Sequence, residues 1–166
     1  MMPSEPGVTT FATPTDREVV VTRVVEARRE LVFDMWTRCE HLRNWMGPKG
    51  WEMSTCEIDL RPGGTWRWGW SGPDGSGMEL HGEYREVAPP ERVVSTDNWG
   101  GEWPETLNTL TFTEEGRRTT ITVTVLYPSK EARDAALQTG MKEGMSQGYD
   151  NLDAYLRTLE LKEATS

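Results

Sequence analysis

The 166-residue sequence is poor in the features on which many functions depend. Its 18 Lys and Arg residues are outnumbered by 27 Asp and Glu, which gives a net charge of −9. Binding to nucleic acid and to anionic membranes depends on clustered cations, so neither partner is expected. No apolar run approaches the ~18 residues of a membrane span. Residues 1–15 also lack the basic start and apolar stretch of a signal peptide, and we therefore predict a cytoplasmic protein.

Cysteine and histidine are scarce, with two of each. Cys39 and Cys56 are too few for a disulfide framework, and in a reducing compartment we expect both to be free thiols. The spacing around His41 and His81 does not predict a metal site, and no cofactor is expected. The motifs of nucleophilic enzymes and of phosphate-binding loops are absent too, so no catalytic residue is assigned.

The length and pattern of the chain predict one domain with short tails. Residues 1–16 contain three prolines and no periodicity, so a flexible N-terminal tail is expected there. The domain is predicted over residues 17–161, and residues 162–166 are expected to form a C-terminal tail.

Within the domain, the pattern predicts a strand, two short helices, six more strands and a long helix. The first strand covers Arg17 to Val25, which is rich in β-branched residues. Glycine- and proline-rich turns separate the six later strands, which is typical of an antiparallel meander. The stretch from Ser129 to about Glu160 lacks proline and carries an apolar stripe, so it predicts one helix capped by Ser129. The fold class is therefore α+β, with a seven-stranded antiparallel sheet covered on one face by the long helix.

Tryptophan is abundant, with eight in the chain. Trp66, Trp68 and Trp70 alternate with polar or small residues, so a strand places the three indoles on one face. Two interpretations of that face remain open. The indoles fill the core beneath the helix, or they form the aromatic wall of a ligand cavity.

The long helix carries glycines beside its apolar stripe. Glycine recurs every fourth residue, at Gly140, Gly144 and Gly148. The neighbouring stripe contains Met141, Met145 and Tyr149. Glycine inside a helix costs about 1 kcal/mol relative to alanine, so either close packing on the sheet or room for a ligand would explain the repeat.

Several segments, taken in order, resemble a known family. The strings ELVFDMWT at 30–37 and HLRNWMGP at 41–48 resemble the start of the domain named after the activator of the heat-shock-protein-90 ATPase. DLRPGG at 59–64 resembles its central signature, and GEYREV followed by PPERVV resembles the next strand pair. Gly140-Met141, Gly144-Met145 and the string LDAYL resemble its last helix. The resemblance covers about residues 17–160.

This resemblance implies a helix-grip fold of the START-like superfamily, which is also called SRPBCC. In that fold a curved antiparallel sheet, here of seven strands, wraps around a long C-terminal helix and leaves a cavity between them. The superfamily includes lipid and hormone binders, polyketide cyclases and other ring-modifying enzymes. The element order worked out from the residues agrees with this fold.

From the residues and the resemblance together we predict a protein that binds a small apolar or aromatic molecule between sheet and helix, without catalysis. The indole faces supply flat apolar contact, and methionine gives an adaptable lining. The predicted ligand-binding residues are Trp66, Trp68, Trp70, Leu80, Tyr84, Trp99, Met141, Met145 and Tyr149.

Two other functions are left open. A chaperone regulator, or another protein-interaction module, would use an exposed apolar patch around residues 99–103. A cyclase- or hydrolase-type enzyme would use the same cavity and an acid–base pair, for which Tyr84, Glu86 and Asp97 are candidates across neighbouring strands. A homodimer is left open as well.

Overall fold

The computed structural model describes residues 5–47 and 50–165, with side chains through Glu160. Those residues form one antiparallel sheet and four helices. The strands are β1 (Thr9–Ala12), β2 (Glu18–Val25), β3 (Glu52–Ile58), β4 (Thr65–Ser71), β5 (Gly77–Ala88), β6 (Arg92–Asp97), β7 (Thr106–Glu115) and β8 (Arg118–Leu126). The helices are α1 (Arg29–Thr37), α2 (Cys39–Leu42), α3 (Lys130–Leu137) and α4 (Met141–Thr165).

The sheet has the strand order β1-β2-β8-β7-β6-β5-β4-β3, and each neighbouring pair is antiparallel. Strands β3 to β8 form the predicted meander, since consecutive strands lie side by side. β2 pairs with β8, so α1 and α2 carry the chain from one edge of the sheet to β3 at the other. This arrangement confirms the α+β class and the two short helices after the strand at Glu18–Val25.

Over the described residues the sheet has eight strands, one more than predicted, because Thr9–Ala12 forms β1. This segment lies within the expected N-terminal tail, and the expectation is wrong for these residues. Phe11 pairs with Val21 of β2 and packs against the core, and the Thr9 hydroxyl accepts a hydrogen bond from Arg23. A four-residue strand is too short to show periodicity, which explains why the pattern missed it. The start of the expected tail, residues 1–4, lies outside the described residues.

The single helix predicted from Ser129 is in fact two helices, α3 and α4. Gly140 separates them with a φ of +81°, in the left-handed region that ends helices. The predicted cap is present, because the Ser129 hydroxyl accepts a hydrogen bond from the Ala132 N–H at 3.1 Å. α4 then runs through Thr165, across most of the expected C-terminal tail, and Ser166 lies outside the described residues. Within the described residues, no helix is long and apolar enough to span a membrane.

The core lies on one face of the sheet, which we call the inner face. On β2 and β8, Val21 and Ile121 are 0% exposed, and Phe112 of β7 is also buried. Helix α1 covers this region, with the Phe33 ring 5.8 Å from that of Phe112. Each buried large apolar side chain contributes about 1.5–3 kcal/mol to folding.

A buried arginine joins the sheet to α4. Arg23 lies on the inner face of β2 with a side chain 2% exposed, and its guanidinium donates hydrogen bonds to Asp150 and Asp153 of α4. A charge at this depth requires such partners, because burial removes it from water. The ion pairs therefore hold the middle of α4 over β1 and β2.

Cys39 and Cys56 are joined by a disulfide, so the prediction of two free thiols is wrong. The bond links the start of α2 to β3. Cys56 lies opposite Trp68 of β4, and the two therefore share a face of the sheet. The crossover of α1 and α2 brings the cysteines together, and nothing in their spacing of 17 residues indicated where that crossover lands.

Candidate functional site

The three alternating tryptophans of β4 form an aromatic wall on the inner face. Trp66, Trp68 and Trp70 are 4%, 8% and 3% exposed, so the prediction that they share the inner face is correct. Neighbouring rings are 4.5 Å apart between Trp66 and Trp68 and 6.4 Å apart between Trp68 and Trp70. Leu80 lies opposite Trp68 on β5 and Tyr84 lies further along the same strand, and both are buried in the same core.

The indole N–H groups of this wall differ in their partners. The Trp70 N–H donates to the Met46 carbonyl at 3.0 Å, next to Gly47, whose lack of a side chain leaves room for the Trp70 ring. The N–H groups of Trp66 and Trp68 are buried without a hydrogen-bond partner among the described residues. Leaving a buried donor unpaired costs about 1–3 kcal/mol, so two such groups side by side are unusual in a core.

A glycine lies beside the wall on β5. Gly82 faces Trp66, and a Cβ at Gly82 would lie 1.7 Å from the Thr96 carbonyl oxygen and 3.0 Å from the Trp66 ring. Backbone cannot give way by that much, so only glycine fits. The Thr96 carbonyl and the Trp66 ring already fill the space that a side chain at Gly82 would take.

The predicted helix residues divide between two places. The Tyr149 ring packs against Trp36 and Trp45, at centroid distances of 6.2 and 6.3 Å, and so belongs to a second aromatic cluster near α1. Met141 and Met145 are partly buried against the common core. The structure thus brings Leu80 and Tyr84 to the tryptophan wall and places Tyr149 in the neighbouring cluster.

Trp99 extends the wall toward solvent. Its ring stacks on Trp70 at 6.2 Å and an interplanar angle of 25°, while 47% of the residue stays exposed. Gly100 and Gly101 follow it with positive φ angles, which turn the loop back. Trp103, in the same loop, is exposed to a similar extent.

Polar residues that the sequence analysis did not group together occupy the inner face next to the wall. The register places Ser95 of β6 opposite Tyr84 and Asn108, and Asp97 opposite Thr106. Val93 and Leu110, two residues away on the same strands and the same face, belong to the core. We call Ser95, Asp97, Thr106 and Asn108 the polar floor. All four are partly exposed, so the inner face is incompletely covered here.

Asp97 is the charged residue of this floor. Burial among protein atoms raises the pKa of its carboxyl to about 7, and the nearby charge of Glu105 acts in the same direction. The Ser95 hydroxyl donates to Asp97 Oδ1 at 3.1 Å and partly opposes that rise. No Lys or Arg of residues 5–47 and 50–160 lies within ion-pair distance of Asp97.

Tyr84 lies beside this carboxylate. It is 4% exposed, and its hydroxyl has no hydrogen-bond partner within the described part of the chain. Burial and the charge of Asp97 raise its pKa. Glu86, the third member of the acid–base set considered above, forms an ion pair with Arg92 at 2.7 Å. Of that set, Tyr84 and Asp97 form no ion pair among the described residues.

Open depressions mark the surface of the described residues. One, of about 340 Å³, is lined by Glu57, Thr65, Trp66, Arg67, His81 and Gly82. Another lies around residues 15–18 and Leu126. Neither lies between α4 and the wall. Among the described residues, no group of three or more His, Cys, Asp or Glu side chains is arranged to hold a metal ion.

Comparison with known families places this architecture. The model of the family described as Activator of Hsp90 ATPase homolog 1-like protein matches residues 26–157. The chain belongs to this family. The AHSA1-like assignment confirms the resemblance seen in the sequence and, with it, the START-like helix-grip fold. Among curated proteins, none matches the chain.

Solved structures agree with the AHSA1-like fold. A protein of Rhodobacter sphaeroides is 28% identical, with a TM-score of 0.86 over 92% of this chain and 99% of that one. A protein of Mycobacterium smegmatis is 26% identical, with a TM-score of 0.80 over 90% and 97%. The AHSA1 protein of Silicibacter pomeroyi, 19% identical, has the same fold, with a TM-score of 0.71 over 85% and 98%.

Proposed function

We propose that this AHSA1-like protein binds a small, flat apolar or aromatic molecule between the tryptophan wall and α4, without catalysing a reaction. One observation carries the proposal. The wall of Trp66, Trp68 and Trp70 continues directly into inner-face residues that are polar and partly exposed. A face with both characters offers apolar contact and a few orienting polar groups, which is the usual composition of a small-molecule site.

The alternative, that the indoles only fill the core, explains less of this arrangement. A pure core would surround Trp66 with apolar side chains, as Val93 and Val123 flank Leu110 on the neighbouring strands. Here the facing position on β5 is Gly82, and Asp97 of β6 lies on the next strand. The two unpaired indole N–H groups are also better accounted for by a ligand with an acceptor than by permanent burial.

Trp99 is the natural entry point for such a ligand. Its ring covers Trp70 by stacking, yet about half of the residue faces solvent. Stacking of this kind is worth only about 0.5–1.5 kcal/mol beyond area burial, so a ligand ring can replace it.

The direct test is calorimetric titration with 2-methylnaphthalene, followed by NMR of backbone amides. We expect saturable binding with shifts centred on β4 and β5. Trp68→Ala should weaken binding by about tenfold or more, because it removes aromatic contact. Arg67→Ala, on the outer face of the same strand, should leave affinity nearly unchanged. Absence of saturable binding by this compound and by larger flat hydrocarbons would contradict the proposal.

Three finer expectations stay predictions. The half-exposed Trp99 and Trp103 are what a chaperone contact or another protein-interaction surface would use. A homodimer interface would use the same two exposed side chains. Free thiols no longer support the predicted cytoplasmic location, because Cys39 and Cys56 form a disulfide.

A further inference from the structure

We propose that the polar floor is a subsite for a hydroxyl group of the ligand, with Asp97 accepting the hydroxyl's hydrogen bond. The inference rests on the proposed function and narrows it. The ligand would be a flat apolar ring system that carries a hydroxyl, such as a phenol or a fused-ring alcohol, rather than a plain hydrocarbon.

The register places Asp97 within reach of a molecule lying on the wall. On β5, Gly82 lies between the His81–Asn98 bridge and the Tyr84–Ser95 pair, and Asp97 lies between the same two pairs on β6. Trp66 faces Gly82 from β4. With strands about 4.8 Å apart, the Cα atoms of Trp66 and Asp97 are roughly 10 Å apart, about the length of a two-ring molecule. No β5 side chain stands between them.

Asp97 has unused hydrogen-bonding capacity. One carboxylate oxygen accepts from Ser95, and the other has no partner among the described residues. A carboxylate offers about four acceptor sites, so a ligand donor can be added without displacing Ser95. The absence of a cation within ion-pair distance, in the described ranges, leaves this charge for a ligand to satisfy.

Tyr84 distinguishes a hydroxyl from other donors. It faces Ser95 across the strand pair, and none of the hydrogen bonds among the described residues involves its hydroxyl. Tyr84 can donate to a ligand oxygen while Asp97 accepts from the same group. A hydroxyl both donates and accepts and can satisfy both residues, whereas an ammonium group can only donate and a methyl group does neither.

The polar floor also lowers the stability of the folded protein. A partly buried carboxylate without a counter-ion opposes folding, and the raised pKa of Asp97 reflects that cost. An apolar residue here would extend the core formed by Val93 and Leu110. Polar groups retained at the expense of stability are characteristic of binding sites.

The experiment compares two ligands of nearly the same shape, 2-naphthol and 2-methylnaphthalene, by calorimetry at about pH 8, where Asp97 is ionised. We expect the wild-type protein to bind 2-naphthol about tenfold more tightly. Asp97→Ala should abolish this preference while leaving the affinity for 2-methylnaphthalene within about threefold. Tyr84→Phe should reduce the preference in part, because one of the two hydrogen bonds is lost.

Glu105→Gln is the matched control. It removes the nearby charge without touching the floor, so the preference for 2-naphthol should persist. If the preference for 2-naphthol falls as far in Glu105→Gln as in Asp97→Ala, it reflects the overall negative charge of this region, and the subsite is refuted. Equal binding of the two ligands by the wild-type protein also refutes the subsite but leaves the proposed function intact. Binding of neither ligand refutes the proposed function itself. The wild-type comparison decides even if a variant fails to fold.

Discussion

The inner face of the sheet has two halves that differ in what covers them. In the half formed by β2, β8 and the later part of β7, residues such as Val21 and Ile121 are buried, and α1 packs on β7 and β8. In the half formed by β4, β5, β6 and the start of β7, tryptophans adjoin a polar floor that is partly exposed. Both halves consist of antiparallel strands of the same sheet. The fold therefore has a closed half that stabilises the domain and an open half whose polar side chains are incompletely covered.

The largest expected effect is in the closed half. Phe112→Ala should lower the free energy of unfolding by about 3–5 kcal/mol, because it leaves a cavity among Phe33 and Trp36. Asn108→Ala, on the same strand and face but in the open half, should cost less than about 1 kcal/mol. Urea denaturation measures both. Similar losses for the two variants would erase the distinction between the halves.

The second-largest effect on stability is expected from the disulfide at the edge of the open half. It ties α2 to β3, at the edge of that half. Reduction of the disulfide, or the double substitution Cys39→Ser and Cys56→Ser, should lower the free energy of unfolding by about 2–3 kcal/mol. The reason is that the denatured chain gains conformational entropy without the cross-link. Thermal unfolding with and without reductant gives the size of the effect. An unchanged midpoint would show that this edge is held by other contacts.

Asp97→Asn should stabilise the protein, in contrast to core substitutions. The pKa of Asp97 is raised from 3.8 to about 7, so the folded state holds a proton between about pH 4 and pH 7 that the unfolded state has lost. The free energy of unfolding therefore falls as pH rises through that window and levels off above it. The variant should gain about 1–3 kcal/mol at pH 8, less than the full shift implies because solvent screens a partly exposed group. Below about pH 4, Asp97 is protonated in both the folded and the unfolded state, so this stability difference between the wild-type protein and Asp97→Asn should vanish. Urea titrations across this range test it, and a constant difference at all pH values would argue against a buried carboxylate.

The smallest effect should come from the exposed loop. Trp103→Ala removes a half-exposed side chain and should change stability by less than about 0.5 kcal/mol. Trp99→Ala removes the stack on Trp70 and should cost slightly more, about 0.5–1.5 kcal/mol. Urea denaturation of both variants measures how much the packing of this loop contributes to the free energy of unfolding. A larger loss for Trp103 would place it, rather than Trp99, against the wall.

Local patterns predicted much of the closed half and of the wall. Alternation placed the three indoles of β4 on one face, and Ser129 marked the start of α3. The break at Gly140 was missed because a proline-free stretch looks continuous, and the glycine stops the helix only by its positive φ.

The polar floor could not be predicted, because it depends on the pairing between strands. Val93 and Val94 are both buried, so β6 shows no alternation that would reveal which side Asp97 faces. The register shift between Tyr84 and Glu86 also breaks the count along β5. The disulfide depended on tertiary structure in the same way, since only the path of α1 and α2 brings Cys39 to Cys56.

The strand order also has a consequence for biosynthesis. Glu18 of β2 pairs with Leu126 of β8, so β2 emerges from the ribosome roughly a hundred residues before its partner. At 5–20 residues per second, its valines wait about 5–20 s for a partner strand. The meander from β3 to β7 can assemble during this delay, because its neighbours are adjacent in sequence. The closed half, which contributes most to stability, is thus the last part of the sheet to be completed.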